Sequence, residues 1–353
     1  MVSPSQLKEL NLIQILTSYP HHRSTSSPQT SGVTFGEFNN SGPGAWSTGR
    51  VSFATNLTAA AAAKYELAAW IGDITWLDME AYSSIPSYSL SGPSSTSPSD
   101  PTTTGSASTT TATINAHPDS GTVPPAGAII VSVDGSNNAS YTNITTALAS
   151  LPNDKTNQTI FVYPGTYNEQ VPSINRPGAV RIVGYTTGNP GQSYKSNQVT
   201  ISYARGLSVS PLPVGHSDAE TAVIATASNR ISFYNINMVN TDNLDGSESS
   251  YVTLAASIYG NDIAFYGCSF DGWQDTLLTG ATTGYQYYES CYIGGAIDFI
   301  WGYSAAYFKG CTIGAKRKSS AITAHSRSST SAIGGYIFDQ VSSCCMTCIQ
   351  AIY

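Results

Sequence analysis

From residue 126 onward the chain is a succession of short apolar runs punctuated by Gly, Asn and Asp. The runs resemble one another: FYNINM begins at Phe233, FYGCSF at Phe265, YESCYI at Tyr288, YFKGCTI at Tyr307 and GGYIFDQV at Gly334. With cysteine as the marker, Cys268 to Cys291 is 23 residues and Cys291 to Cys311 is 20. A repeat of this length, built from short strands without helices, predicts a β-solenoid in which each coil stacks on the one before at the inter-strand spacing of roughly 4.8 Å. The three cysteines then form a ladder of small buried hydrophobes inside it. A sandwich is the competing all-β architecture, but it predicts no vertical register between successive runs.

Upstream the texture differs. Residues 91–113 hold 7 Ser and 8 Thr in 23 positions and no aromatic residue, so they cannot offset the entropy of folding and read as a linker. Before them stands one helical stretch, TAAAAAKYELAAWIG, with Thr58 placed to cap it and Gly72 placed for a left-handed terminus. The expected organisation is a leader without stable structure (1–33), a small strand-plus-helix fragment (34–90), a linker (91–125), the β-solenoid (126–341) and a tail that fits no strand pattern (342–353).

Composition narrows the partners. Only 10% of the 353 residues are charged and the net charge is −7 with no long basic run, which excludes a nucleic-acid backbone as partner. No stretch reaches the length of a transmembrane helix, and the N-terminus lacks the basic-then-apolar order of a signal peptide. Sequons at Asn39, Asn56, Asn138, Asn143 and Asn157 are compatible with secretion. The cysteines have no zinc-ligand spacing, and the five scattered histidines sit beside no serine elbow.

Two acids stand inside apolar strand-like sequence: Asp275 in GWQDTLLTG and Asp298 in GGAIDFIWG. Their separation of 23 residues equals one coil of the repeat, so they project from the same face on adjacent coils. Two carboxylates that close, partly desolvated, cannot both ionise easily. One arrives protonated and the other charged, which supplies an acid together with a base or nucleophile. Gln274 places an amide beside this pair, and Trp273 and Trp301 place aromatics beside each acid.

GWQDTLLTG followed by CYIGGAIDFIWG resembles the two central motifs of the pectin methylesterases, carbohydrate esterase family 8. The resemblance extends upstream through VSVDGSNNASYTNITTALASLP and the G-x-Y-x-E box at Gly165, Tyr167 and Glu169, and downstream through YFKGCTI and AITAHSR, covering residues 126–341. It implies a right-handed parallel β-helix acting without a metal or other cofactor, as a secreted monomer, on methylesterified pectin (homogalacturonan). In the implied mechanism Asp298 attacks the methyl-ester carbonyl, Gln274 donates to the oxyanion, and Asp275 gives its proton to methanol and then activates water. Trp273, Trp301, Tyr167 and Glu169 are the expected substrate-binding residues.

The resemblance has gaps. The family's upstream oxyanion glutamine falls on Ser250 or Val252 of SYVTLAAS, and no Gly-Arg-Pro motif, whose arginine pairs with the nucleophilic aspartate, occurs in the chain. Arg327 is the nearest arginine but matches a different family position. These departures raise the alternative of a catalytically impaired β-helix that binds pectin. The N-terminal piece, FGEFNNSGPGAWSTGRVSF with the helix and WIGDITWLDMEAY, resembles the closing segment of the same family. The chain thus reads as the tail of one copy and the head of a second, with an alternative in which the tail docks on the second copy as a circular permutant. Asn240-Thr241-Asp242 spells a polygalacturonase motif, but its companion motifs are missing.

Overall fold

The computed structural model describes residues 8–16, 33–40, 46, 54–83, 116–208, 215–281, 283–318, 320–327 and 331–345. The protein is a parallel β-helix. Three ladders of parallel strands run along it. The first stacks Ile129–Val131, Gln158–Val162, Val180–Gly184, Ile231–Tyr234, Ile263–Tyr266, Tyr285–Glu289, Ala305–Lys309 and Gly335–Cys345 in sequence order. The second runs from Gly165–Asn168 through Val199–Tyr203, Ile236–Asn240, Ser269–Asp271 and Tyr292–Gly295 to Thr312–Ala315. The third is a six-stranded sheet from Val171–Ile174 through Ile224–Thr226, Ala256–Ile258, Leu277–Thr279 and Ile300–Gly302 to Thr323–His325.

Because every ladder is parallel and in register, like side chains fall over like. Phe233, Phe265, Tyr288, Phe308 and Phe338 stack through the interior with ring centroids 4.7, 5.1, 4.8 and 4.8 Å apart. Cys268, Cys291 and Cys311 are buried free thiols on consecutive coils, the ladder the spacing predicts. From Ile231–Tyr234 onward, the corner between the first two ladders holds a left-handed residue in each coil. Asn235, Gly267, Ser290, Gly310 and Gln340 occupy it with φ of 53–60°, and the amides of the first four each bond to the carbonyl of the next coil. Glycine and asparagine recur there because other side chains are strained at that φ. Coils of 23 and 20 residues are the short ones. The step from Phe233 to Phe265 is 32, because the excursion at 241–250 is inserted.

The N-terminal residues close the far end of the solenoid. Lys8–Leu16, in the stretch expected to be an unstructured leader, forms a strand antiparallel to Gly335–Cys345. Val33–Glu37 pairs antiparallel to it, and Ala54–Asn56 runs parallel to that. Gly335–Cys345 itself continues past Val341 into the expected tail, because the backbone keeps its register against Thr312–Ala315. The expected single helix is broken. Ala59–Ala62, capped by Thr58, passes through a tight turn at Ala63–Tyr65 to Glu66, whose backbone is extended, before Leu67–Ile71 resumes and Gly72 ends it at φ 83°. The break brings Ala62, Leu67 and Ile71 together onto the outer face of the first ladder, against Tyr234, Tyr266, Tyr287 and Tyr307. Tertiary packing overrides alanine's helix propensity here. The segment packs on the solenoid through these side chains. The Ser/Thr-rich stretch at 91–113 lies outside the described residues.

Asp78 pins this docking. Buried to 1% exposure, its carboxylate accepts from the Tyr234 hydroxyl at 3.1 Å, from the amides of Glu80 and Ala81, and lies 2.8 Å from His117 Nδ1. Its own amide donates to the Tyr266 hydroxyl oxygen. Nearby, Glu289 is wholly buried and accepts from the Tyr287 hydroxyl. Burial pushes its carboxyl up to about 8.

At the opposite end, Glu169 holds the start of the helix Ile144–Ala149 by accepting from the amides of Ile144 at 2.7 Å and Thr145 at 2.8 Å and from the Thr145 hydroxyl. Tyr167 is 1% exposed, with its hydroxyl donating to the Tyr163 carbonyl and burial pushing its pKa up to about 12. Both were expected to bind substrate. The structure corrects this, because one is a helix cap and the other a core residue.

Two outcomes follow from these burials. Between the ordinary carboxyl value of 4.5 and about 8, folded Glu289 keeps a proton that the unfolded chain has released, so stability falls as pH rises through that window. Glu289→Gln removes this slope. Its thermal midpoint is expected to exceed that of the native chain at pH 8 by about 4 °C or more and to match it at pH 4, as scanning calorimetry at both pH values will read. Glu169→Ala is expected to cost about 1–3 kcal/mol by orphaning the Ile144 and Thr145 amides, measured by urea unfolding.

Candidate active site

The site forms where the turn between the second and third ladders repeats on neighbouring coils. Gln274 makes single parallel bridges to Val252 on one side and Ile297 on the other, so Asp275 stands over Asp298 in the register that continues as Leu277 over Ile300. Both aspartates have left-handed backbones, φ 62° for Asp275 and 46° for Asp298. For a non-glycine residue this costs about 1 kcal/mol or more. The distortion interrupts the strand at the same place on both coils and lets the two carboxyls share a face.

The backbone around them is fixed from both sides. The Asp275 amide donates to the Ile297 carbonyl at 2.9 Å, Thr253 N–H to the Gln274 carbonyl at 3.0 Å, and Ala296 N–H to the Trp273 carbonyl at 2.7 Å. The Thr253 hydroxyl accepts from Trp273 N–H and the Thr276 hydroxyl donates to the Gly294 carbonyl. Asp275 is 2% exposed and Gln274 5%, while Asp298 is only partly buried.

Ser250 lies 3.4 Å from Gln274, its hydroxyl donating to Oε1. That contact sets the orientation of the amide and leaves the Nε2 end to donate elsewhere. Of the two positions that could answer to the family's second glutamine, Val252 is the backbone neighbour of Gln274 and Ser250 is the polar one. Trp301 is partly exposed, and its indole N–H donates to the Asp275 carbonyl at 3.1 Å. It packs on the apolar patch of Val252, Leu254 and Leu278. Trp273 is 8% exposed and lies under the loop at Gly246, where an added Cβ would come within 2.2 Å of the ring. It is a packing residue, which corrects its expected role as a sugar platform.

The structure thus brings together Gln274, Asp275, Asp298 and Trp301, with Trp273 beneath them, and places Tyr167 and Glu169 elsewhere. Arg327 donates to the Gly334 carbonyl. His325, one rung beyond Gly302, donates through Nε2 to the Ser304 carbonyl at 3.0 Å. Since a carbonyl only accepts, Nε2 carries the proton, and burial pulls the ring down to about 4. His325 is a neutral core group rather than a base for a nucleophile. In the sequence Ser250 stands only as a possible match for the family's upstream glutamine, because only the fold reveals that its hydroxyl faces Gln274.

Among known families, the pectinesterase model matches residues 128–350, so the matched region runs past Val341 into the stretch that looked unlike the family. A pectinesterase of Aspergillus aculeatus is 37% identical over 231 residues, 64% of this chain and 65% of the relative. Pectinesterase A of Emericella nidulans is 37% identical over 218 residues, 62% and 61% of the two chains. The crystal structure of the pectin methylesterase from Aspergillus niger in deglycosylated form superposes with a TM-score of 0.56 at 32% identity, covering 65% of this chain and 70% of that one. The chain spans less than two-thirds of the length of these curated relatives. With more than half of its residues matched and the paired-aspartate coils in place, the chain belongs to the pectinesterase family.

Proposed function

We propose that the chain hydrolyses methyl esters of galacturonate units in pectin, releasing methanol and leaving pectate. The observation that carries this reading is the register of Asp275 over Asp298, each on a left-handed turn, with the Gln274 amide between neighbouring coils. The partly exposed Asp298 is the nucleophile. It attacks the ester carbonyl carbon, and the resulting oxyanion takes a hydrogen bond from Gln274 Nε2, oriented by Ser250. Asp275, nearly wholly buried, sits where a charge is penalised and so enters as the acid. It protonates the departing methoxide as the acyl–oxygen bond breaks. It then takes a proton from water, whose hydroxide attacks the acyl-enzyme and frees Asp298. Trp301 holds the Asp275 backbone through its indole N–H and offers its exposed face to a sugar ring.

Since pectin is a cell-wall polysaccharide, an extracellular reaction is part of the same proposal. Among the described residues no helix is long and apolar enough to cross a membrane.

Methanol release from methylated pectin tests the assignment. Asp298→Ala is expected to lower kcat by about 10⁴-fold or more, and Gln274→Ala by ~10²–10³-fold. Equal rates for native chain and Asp298→Ala would leave a pectin-binding β-helix without this chemistry.

A further inference from the structure

Lys316 lies one residue past Thr312–Ala315, two coils beyond Asp271 in the same ladder. Its ammonium nevertheless reaches back across the intervening coil, 2.6 Å from Asp271 Oδ1 and 2.8 Å from the Gly272 carbonyl oxygen, to which it donates. The register positions it spans are Gly294 and Gly295, so no side chain stands on the rung between. At Gly295 a Cβ would also come within 2.3 Å of Phe299 Cβ and 2.7 Å of Thr276 Oγ1, which keeps that rung bare. The Lys316 amide donates to the Gly295 carbonyl at 2.9 Å. One residue therefore grips the coil that leads into Asp298 through its backbone, and the coil that leads into Gln274 and Asp275 through its side chain.

We propose that Lys316 is a positioning residue for the reaction, setting the height of the 272–275 turn over the Asp298 turn. Gly272 is the last residue before Trp273–Gln274–Asp275, and its own amide bond to the Gly294 carbonyl is long, at 3.4 Å. The lysine adds a short contact to the carbonyl of that same residue. The contact is half-buried, with the Lys316 side chain 18% and the Asp271 side chain 30% exposed, and burial that pushes the Asp271 carboxyl up is opposed by the Lys316 charge beside it. A turn displaced by about 1 Å moves the oxyanion donor and the acid together, and misplacement of that size can cost ~10²-fold in rate. No motif marks this lysine in the sequence. It stands in the local run Lys316-Arg317-Lys318, which reads as a solvated surface.

The inference rests on the esterase reading, so the experiment has two readouts. Native chain, Lys316→Met, Lys316→Arg and the milder Asp271→Asn are compared well below their melting temperatures. The first readout is methanol release, and the second is hydrogen exchange of the Gly272–Asp275 amides. Lys316→Met is expected to lower kcat by about 10-fold or more with KM within about twofold, and to speed exchange in those amides. Asp271→Asn should change both in the same direction by less, and Lys316→Arg should recover most of the native rate. Native kcat and native exchange in Lys316→Met would overturn the assignment. A native chain that releases no methanol would overturn the esterase reading alone, and the exchange comparison would then decide the lysine by itself.

Discussion

In-register parallel stacking is the interaction on which everything else in this molecule depends. It lets one aromatic ring per coil lie flat on the next through the interior, from Phe233 to Phe338, at close to the strand spacing. From Ile231–Tyr234 onward it is accompanied by a left-handed corner at one position of each coil, which Asn235, Gly267, Ser290, Gly310 and Gln340 supply. It also converts a separation along the chain into a vertical neighbourhood. Asp275 and Asp298 meet because the coils that carry them differ by one repeat, and their local strain is supported by backbone bonds from the coils on both sides. The site is a repeated turn in which the two repeats have been given different surroundings.

In the proposed reaction that difference divides the labour between two identical side chains. Asp275 lies under Trp301 and between two coils, and Asp298 opens toward solvent. In the proposed reaction this difference in burial makes the same amino acid an acid in one place and a nucleophile in the other. The supporting residues act through the backbone: Thr253 and Thr276 hold carbonyls and amides, and Ser250 holds the orientation of an amide.

Much of this was legible in the residues, where the signal was periodic. The cysteine spacing located consecutive coils, and the spacing of the paired acids placed Asp275 over Asp298, because a coil repeat is a distance along the chain. Thr58 and Gly72 were legible as helix ends, since capping chemistry is local. What escaped was set by contacts far apart in sequence. Glu169 reads as a binding acid until its carboxylate is found on the amides of Ile144 and Thr145, 25 and 24 positions earlier. Trp273 reads as a sugar platform until Gly246 is found above it. The break at Glu66 is invisible in an alanine-rich run because its cause is the tyrosine-lined face onto which Leu67 and Ile71 fold.

The strand Lys8–Leu16 has a consequence of another kind. A parallel ladder is a template, since each finished coil presents its free edge to the next strand of the same polarity, whether from its own chain or another. Lys8–Leu16 meets Gly335–Cys345 with reversed polarity, and Val33–Glu37 then reverses it again relative to Lys8–Leu16. Lys8–Leu16 occupies the edge of Gly335–Cys345, so the hydrogen-bonding groups along that edge are met by a strand of the same chain, and Val33–Glu37 and Ala54–Asn56 then carry the original polarity outward.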